Sequence, residues 1–359
     1  MKTITKTDII TRTLEILPGA CSWLILCAAV GLAFFQPIVC AVLIITFDFY
    51  WIIRTAYLTI LLVLARRELL RHKDKNWLRA CERLPARYGW RNKYQVVLFP
   101  VYREGLEIMR ASLASIRDAQ YPKDKIIVIL SFEERYAPAK AHAMALEEEF
   151  AQSFGGYRTT FHPVGLPGES PTKGANATWG ARFAKEFLSE LGVRCDDVVI
   201  SCFDADTCVE KQYLGCLMYH FLTADKPHQT SYQPIPVYNN NIWHAPSFAR
   251  LVEISSSFTQ LMESMRVEKF VTFSSHSMSF KTLVDIDYWP KNMVSDDSVI
   301  YWKAYLFYKG DYRVMPLYIT VSMDAAFSTS LWKTIVLQYK QKRRWAWGIE
   351  NFPYVVSRF

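Results

Sequence analysis

Tyr94 to Tyr102 reads YQVVLFPVY, and Lys125 to Phe132 reads KIIVILSF. Both are short apolar runs rich in valine and isoleucine. Amphipathic stretches of helical pattern at about 104–119, 137–153 and 174–191 alternate with them and with YRTTFHPV (157–164) and DVVISCF (197–203). This βαβ rhythm predicts an α/β fold with a mostly parallel central sheet and helices on both faces. Ligands bind such sheets at the carboxyl ends of the strands. Those ends carry Pro100 to Glu104, Ser131 to Arg135, and Asp204-Ala205-Asp206.

Before the first strand the chain changes character. Gly19 to Phe35 (GACSWLILCAAVGLAFF) holds no charge over 17 residues, about 26 Å of helix, at the lower limit for a bilayer span. Gln36-Pro37 follows, then 28 residues from Ile38 to Ala65 interrupted only by Asp48 and Arg54. The two runs predict a transmembrane hairpin; a secretory signal would carry one shorter apolar region and a small-residue cleavage site. Asp48 and Arg54 are costly in lipid and are expected to face protein, water or headgroups.

Arg66 to Lys93 holds ten Lys or Arg and three Asp or Glu, a net +7, in a chain of 359 residues whose total is +8. The positive-inside rule puts this segment, and the domain after it, on the cytoplasmic side of a cell membrane that the chain crosses more than once. Its place beside a membrane helix accounts for the charge, and with no nucleic-acid-binding motif near it nucleic acid is not an expected partner. The mean hydropathy of +0.03 is then an average over a membrane hairpin and an ordinary globular domain. None of the eight cysteines forms a CxxC pair, so no zinc or disulfide framework is expected, consistent with a reduced compartment in which the sequon Asn176-Ala177-Thr178 stays unmodified.

The first strand lacks a GxGxxG after it, and GESPTKG (168–174) lacks the Gly-Lys-Ser/Thr order of a phosphate-binding loop. What the sheet edge does offer is carboxylates. Asp204 and Asp206 lie on one side of an extended backbone, a pair suited to Mg²⁺, which takes one or two protein carboxylates and completes its shell with water and substrate phosphates. Two further groups follow: Ser295-Asp296-Asp297, and Gln341-Lys342-Arg343-Arg344-Trp345.

This ordered set, with Lys173-Gly174-Ala175-Asn176 ahead of the Asp-x-Asp strand, resembles the membrane-bound branch of glycosyltransferase family 2, which includes cellulose, chitin and hyaluronan synthases. The likeness covers roughly residues 94–348, and its specific part is Gln-x-x-Arg-Trp downstream of Asp-x-Asp. It implies a GT-A type nucleotide-sugar-binding domain and an inverting, metal-dependent transfer of sugar from a nucleoside-diphosphate donor, UDP by default and GDP as the alternative, to a growing polysaccharide or lipid-linked acceptor. On the matching positions it puts Asp204 toward the nucleotide and metal, Asp206 on Mg²⁺ or Mn²⁺, Lys173 and Arg344 near the diphosphate, and Asp297 as the catalytic base. Gln341 and Trp345 fall at the acceptor, with Asp296 and His276 as further acceptor-side candidates. Pro100, Tyr102 and Glu104 match the end of the first strand, and Glu133 stands where the family has an Asp pair, as the base-contacting candidate.

The expected division is an N-terminal cytoplasmic segment (1–18), the hairpin (19–65), the basic juxtamembrane segment (66–93), the glycosyltransferase domain (94–330) and an interfacial amphipathic helix with the Gln-x-x-Arg-Trp motif (331–359), in which Trp332 and Trp347 anchor at headgroups. Synthases of the family continue into further membrane helices, which the 11 residues after Gly348 are not expected to supply. Two other readings remain open: single-sugar transfer to a lipid carrier, and a membrane-anchored nucleotide-sugar-binding protein without turnover. The second has no need of Asp297.

Overall fold

A computed structural model describes residues 6–358; residues 1–5 of the expected N-terminal segment, and residue 359, lie outside it. The chain begins with two long helices, α1 (Lys6–Phe35) and α2 (Pro37–Lys73), parted only at Gln36. Both are long and apolar enough to cross a membrane, and no residue of either apolar window is buried. They are longer than the hydropathy alone predicts. Residues 6–17 contain no glycine or proline to stop a helix, and Arg66 to Lys73 (RRELLRHK) is made of strong helix formers. Thirteen of the 18 residues of the 1–18 segment and the start of the basic segment are therefore helical. α2 ends with Arg71, His72 and Lys73 in its last turn, where cations favour the helix dipole. The base of α2 docks on the globular part, with Ala65 packed beside Ile235 and Leu261.

The remaining elements are α3 (Trp77–Glu82), β1 (Tyr94–Val101), α4 (Leu106–Asp118), β2 (Ile126–Glu133), α5 (Ala139–Phe150), β3 (Gly156–His162), α6 (Lys173–Glu190), β4 (Val198–Cys202), β5 (Cys208–Val209), α7 (Tyr213–Thr223), β6 (Thr230–Val237), α8 (Ser247–Glu263), β7 (His276–Ser279), α9 (Phe280–Asp285), α10 (Asp296–Phe307), β8 (Arg313–Ser322), α11 (Leu331–Ala346) and α12 (Asn351–Val356). One sheet forms, in the order β3-β2-β1-β4-β7-β6-β8-β5. The half read from the sequence, β3-β2-β1-β4, is parallel throughout. The other half is mixed, because β7 enters antiparallel to both β4 and β6, β6 pairs parallel with β8 and β5 antiparallel to β8.

Alternation along β1 builds the two cores. Val97, Phe99 and Val101 pack with α4, α5 and α7, while Val96 and Leu98 face α6, α9 and α10. Both faces are covered, which is why β1 and β2 read as nearly continuous apolar runs. The expected single helix over 331–359 is instead α11, a short turn and α12.

Candidate active site

The carboxyl ends of β1, β2 and β4 lie side by side, and α6 starts beside them. Asn176, in the first turn of α6, is buried and donates to the backbone carbonyls of Val101 (3.3 Å) and Ser131 (2.9 Å). It ties the helix to two strand ends and, being buried, is no glycosylation site. Thr172 caps α6 through Ala175 N–H. The next residue, Lys173, reaches into the centre of the edge: its Nζ lies 2.6 Å from Asp204 Oδ1 and 3.0 Å from Asp297 Oδ1. One ammonium thus bridges the Asp-x-Asp strand end and the later acidic pair.

Gly174 makes the bridge sterically feasible. A Cβ there would stand 2.6 Å from Pro290 O and 2.9 Å from Asp296 Cβ, both in the segment that delivers the acidic pair. Gly174→Ala should push α6 and that segment apart, costing about 1–3 kcal/mol and lowering turnover; a melting curve and a transfer rate equal to wild type would show that the contact is slack.

Asp296 and Asp297 open α10. Glu350, just before α12, accepts from the N–H groups of Val294 (2.8 Å) and Ser295 (2.7 Å) and from the Ser295 hydroxyl, while Thr272 donates to Asp297 O (2.7 Å). The chain beyond Trp345 therefore folds back to fix the acidic pair. Successive residues on a helix point about 100° apart, so the two carboxylates part company. Asp297 turns to Lys173. Asp296, expected on the acceptor side, is buried against Gly174; burial and then the neighbouring Asp297 push its carboxyl well above the usual range.

His276, the other acceptor-side candidate, is also buried, with Nδ1 3.2 Å from Phe273 O and 3.8 Å from Asp297 Oδ1, behind the carboxylate. Burial lowers its pKa to about 4 against the opposing pull of Asp297, so the ring is neutral at pH 7. The polar run Phe273 to Phe280 thereby supplies backing. Ser274 donates to Asp204 Oδ2, and Ser275, held at φ +61, meets Thr207 Oγ1 (2.7 Å); a left-handed serine beside a site is stored strain.

Burial would raise the Asp204 pKa, but Lys173, the Ser274 hydroxyl and the Arg344 charge together hold it below the ordinary range. Among the described residues Asp206 has no such cation. Its Oδ2 accepts from Asp324 N–H at 3.0 Å, and burial, followed by repulsion from Asp204, raises it to about 7. Asp324 and Asn240, which donates to Asp206 O at 2.9 Å, complete this corner; no sequence signal marks either of them.

α11 approaches from the other side. Gln338 Nε2 donates to the buried Glu253 Oε1 of α8 at 2.7 Å, and Lys342 Nζ lies 3.8 Å from Glu253 Oε2 and 3.5 Å from the Trp345 ring centroid. Trp345 is 41% exposed and tilts against Tyr238, with ring centroids 6.2 Å apart. Arg344 is exposed, and Gln341 keeps a buried amide oxygen without a partner among the described residues.

On the β1–β2 side, Glu104 accepts from Tyr102 N–H at 2.7 Å and so shapes the loop after Pro100. Glu133 is buried and engaged by Arg135 Nε (3.0 Å) and His162 Nδ1 (3.4 Å). Neither partner belongs to the motif set read from the sequence.

Residues 199–358 match the family model described as "Glycosyl transferase family group 2". No curated protein matches the chain. Among solved structures, the mannosyltransferase PcManGT from Pyrobaculum calidifontis, in complex with GDP-Man and Mn²⁺, is similar at 15% identity and a TM-score of 0.46, over 85% of this chain and 81% of that one. S. aureus TarS 1–349 in complex with UDP-GlcNAc is similar at 13% identity and a TM-score of 0.42, over 65% of this chain and 58% of that one. The matched stretch, just under half of the chain, contains Asp204, Asp206, Asp297 and the Gln341 to Trp345 motif, and over it this chain is similar to the glycosyltransferases of family group 2.

Proposed function

We propose that the protein is an inverting glycosyltransferase anchored at the cytoplasmic face of a membrane, which moves sugar from a nucleoside-diphosphate donor to a glycan or lipid-linked acceptor. The observation that carries this reading is Lys173 held between Asp204 and Asp297. A binding protein gains nothing from a second carboxylate at that distance, whereas a transferase needs a base next to its diphosphate pocket.

In this mechanism Asp297 accepts the proton of the acceptor hydroxyl. The freed oxygen attacks the anomeric carbon from the side opposite the diphosphate, and the bond from that carbon to the diphosphate oxygen breaks, which inverts the configuration. Negative charge grows on the departing diphosphate, and Lys173 and Arg344 stand near enough to the Asp204 corner to receive it. His276, neutral and fixed by Phe273 O, packs behind Asp297 at 3.8 Å. Trp345 offers an exposed indole face for the acceptor sugar.

Asp204 and Asp206 fit a Mg²⁺ or Mn²⁺ ion: both are hard oxygen ligands, and Asp206 is half-buried with no cation paired to it among the described residues. When bound, such an ion neutralises charge on the leaving diphosphate. The membrane part of the proposal is supported by α1 and α2, by the basic segment 66–93, and by apolar stripes left exposed on α8 (Phe248, Leu251, Phe258) and α11 (Trp332, Ile335, Tyr339).

The test is nucleotide release from a panel of UDP- and GDP-sugars by the full chain in nanodiscs. Release from one donor, abolished by chelator and restored by Mg²⁺ or Mn²⁺, is expected. Release indifferent to chelator would remove the metal role from Asp204 and Asp206, and donor binding without release in the presence of acceptors would favour the non-catalytic reading.

A further inference from the structure

The transfer chemistry leaves one group of buried charges unused. From the β2 end a continuous chain runs Arg135, Glu133, His162, Glu169, Lys291. The spacings are 3.0 Å from Arg135 Nε to Glu133 Oε2, 3.4 Å from Glu133 Oε1 to His162 Nδ1, 2.9 Å from His162 Nε2 to Glu169 Oε2, and 2.7 Å from Glu169 Oε1 to Lys291 Nζ. The three central side chains are each at most 9% exposed, and opposite charges of that depth must be paired.

Each oxygen of the buried Glu133 thus already faces one protein partner, Arg135 or His162. It pairs with Arg135 through Nε, and among the described residues no hydrogen-bond or ion-pair partner meets the two terminal amino groups of the guanidinium. That guanidinium lies 4.4 Å from the ring centroid of Tyr102, which also carries the Arg103 guanidinium at 4.6 Å. Tyr102 follows β1 and Arg135 follows β2, and these neighbouring parallel strands end at the edge where nucleotides bind α/β sheets.

A guanidinium fixed at Nε presents two parallel N–H donors and matches two adjacent acceptors. Guanine has such a pair in O6 and N7, and adenine has a donor beside N7. On the uracil ring the two carbonyl oxygens flank an N–H, which would face donors with a donor. Cytosine also has adjacent acceptors, but a purine covers more of the Tyr102 and arginine surface. We propose that Arg135, aimed by the Glu133–His162–Glu169 chain, reads the donor base, and that the donor is a guanosine-diphosphate sugar. This rests on the nucleotide-sugar reading above and selects within it.

The experiment is equilibrium binding of GDP, UDP and CDP to the full chain in detergent with Mg²⁺, for wild type and Arg135→Lys, which keeps the charge and loses the fork. GDP should bind wild type about tenfold more tightly than UDP or CDP, in the range of one bidentate base contact. Arg135→Lys should weaken GDP by about that factor and leave UDP unchanged. Binding of UDP or CDP as tight as that of GDP overturns the proposal, as does an equal loss of all three in the variant; in either case the nucleotide-sugar reading stands. A folded wild type that binds none of the three overturns both.

Discussion

Asp297→Asn will lower sugar transfer by about 10² to 10⁴, the usual worth of general-base assistance, while donor binding stays within a factor of a few. The amide keeps the shape of the carboxylate, and Lys173 retains its closer partner, Asp204, at 2.6 Å, so the site should stay assembled. Single-turnover transfer measured at saturating donor, beside a donor-binding isotherm, separates the two effects. Turnover like that of wild type would take the base role away from Asp297. A parallel loss of binding would instead make it a structural partner of Lys173. Because His276 touches Asp297 only from behind, His276→Gln should give a milder loss in the same assay.

Lys173→Met will have the largest effect on both stability and binding. Burial alone would lower the lysine pKa, yet Asp204, Asp297 and Asp296 together raise it well above the ordinary value, so the charged form is the one the fold is built around. Without it, Asp204 and Asp297 lose the cation between them, and because these side chains are a quarter to a third exposed the cost is about 1–3 kcal/mol, below that of a fully buried pair. Denaturation in detergent should show that loss, and nucleoside-diphosphate affinity should fall with it. Adding Mg²⁺ or Mn²⁺ should recover more stability in the variant than in wild type, since a bound cation replaces the missing charge. A variant with wild-type stability and affinity would mean that Lys173 is a bystander.

The parallel half of the sheet was legible in the sequence because each strand there is a local signal: an apolar run between helical patterns, as in 94–102 and 125–132. The other half was not. β7 is four residues long, HSMS, with no apolar alternation, and takes its place only by pairing with β4 and β6. The site divides in the same way. Asp204, Asp206, Asp297 and Lys173 sit in recognisable motifs, but the Lys173–Asp297 bridge spans 124 positions and follows from Gly174 packing on Pro290. Glu133 shows the limit from the other side. Its position marks it as a base-contacting candidate, and only the folded chain reveals that Arg135 and His162 lie against its two oxygens. For Asp296 and His276 the resemblance suggests an acceptor-side place, and it takes the fold to show that both are buried, Asp296 against Gly174 and His276 beside Phe273 O.

The unbroken run of α2 has a mechanical meaning. Its 37 residues make a rod of about 55 Å, and a bilayer core takes up about 30 Å of that. The rest is a rigid post whose foot is cemented to the sheet through Ala65, Ile235 and Leu261. If α2 crosses the membrane as proposed, the catalytic edge cannot bob on a tether; it works at one altitude above the lipid. Acceptors would then be sorted by height as well as by chemistry, and lengthening the post by one helical turn should penalise lipid-borne acceptors more than freely diffusing ones.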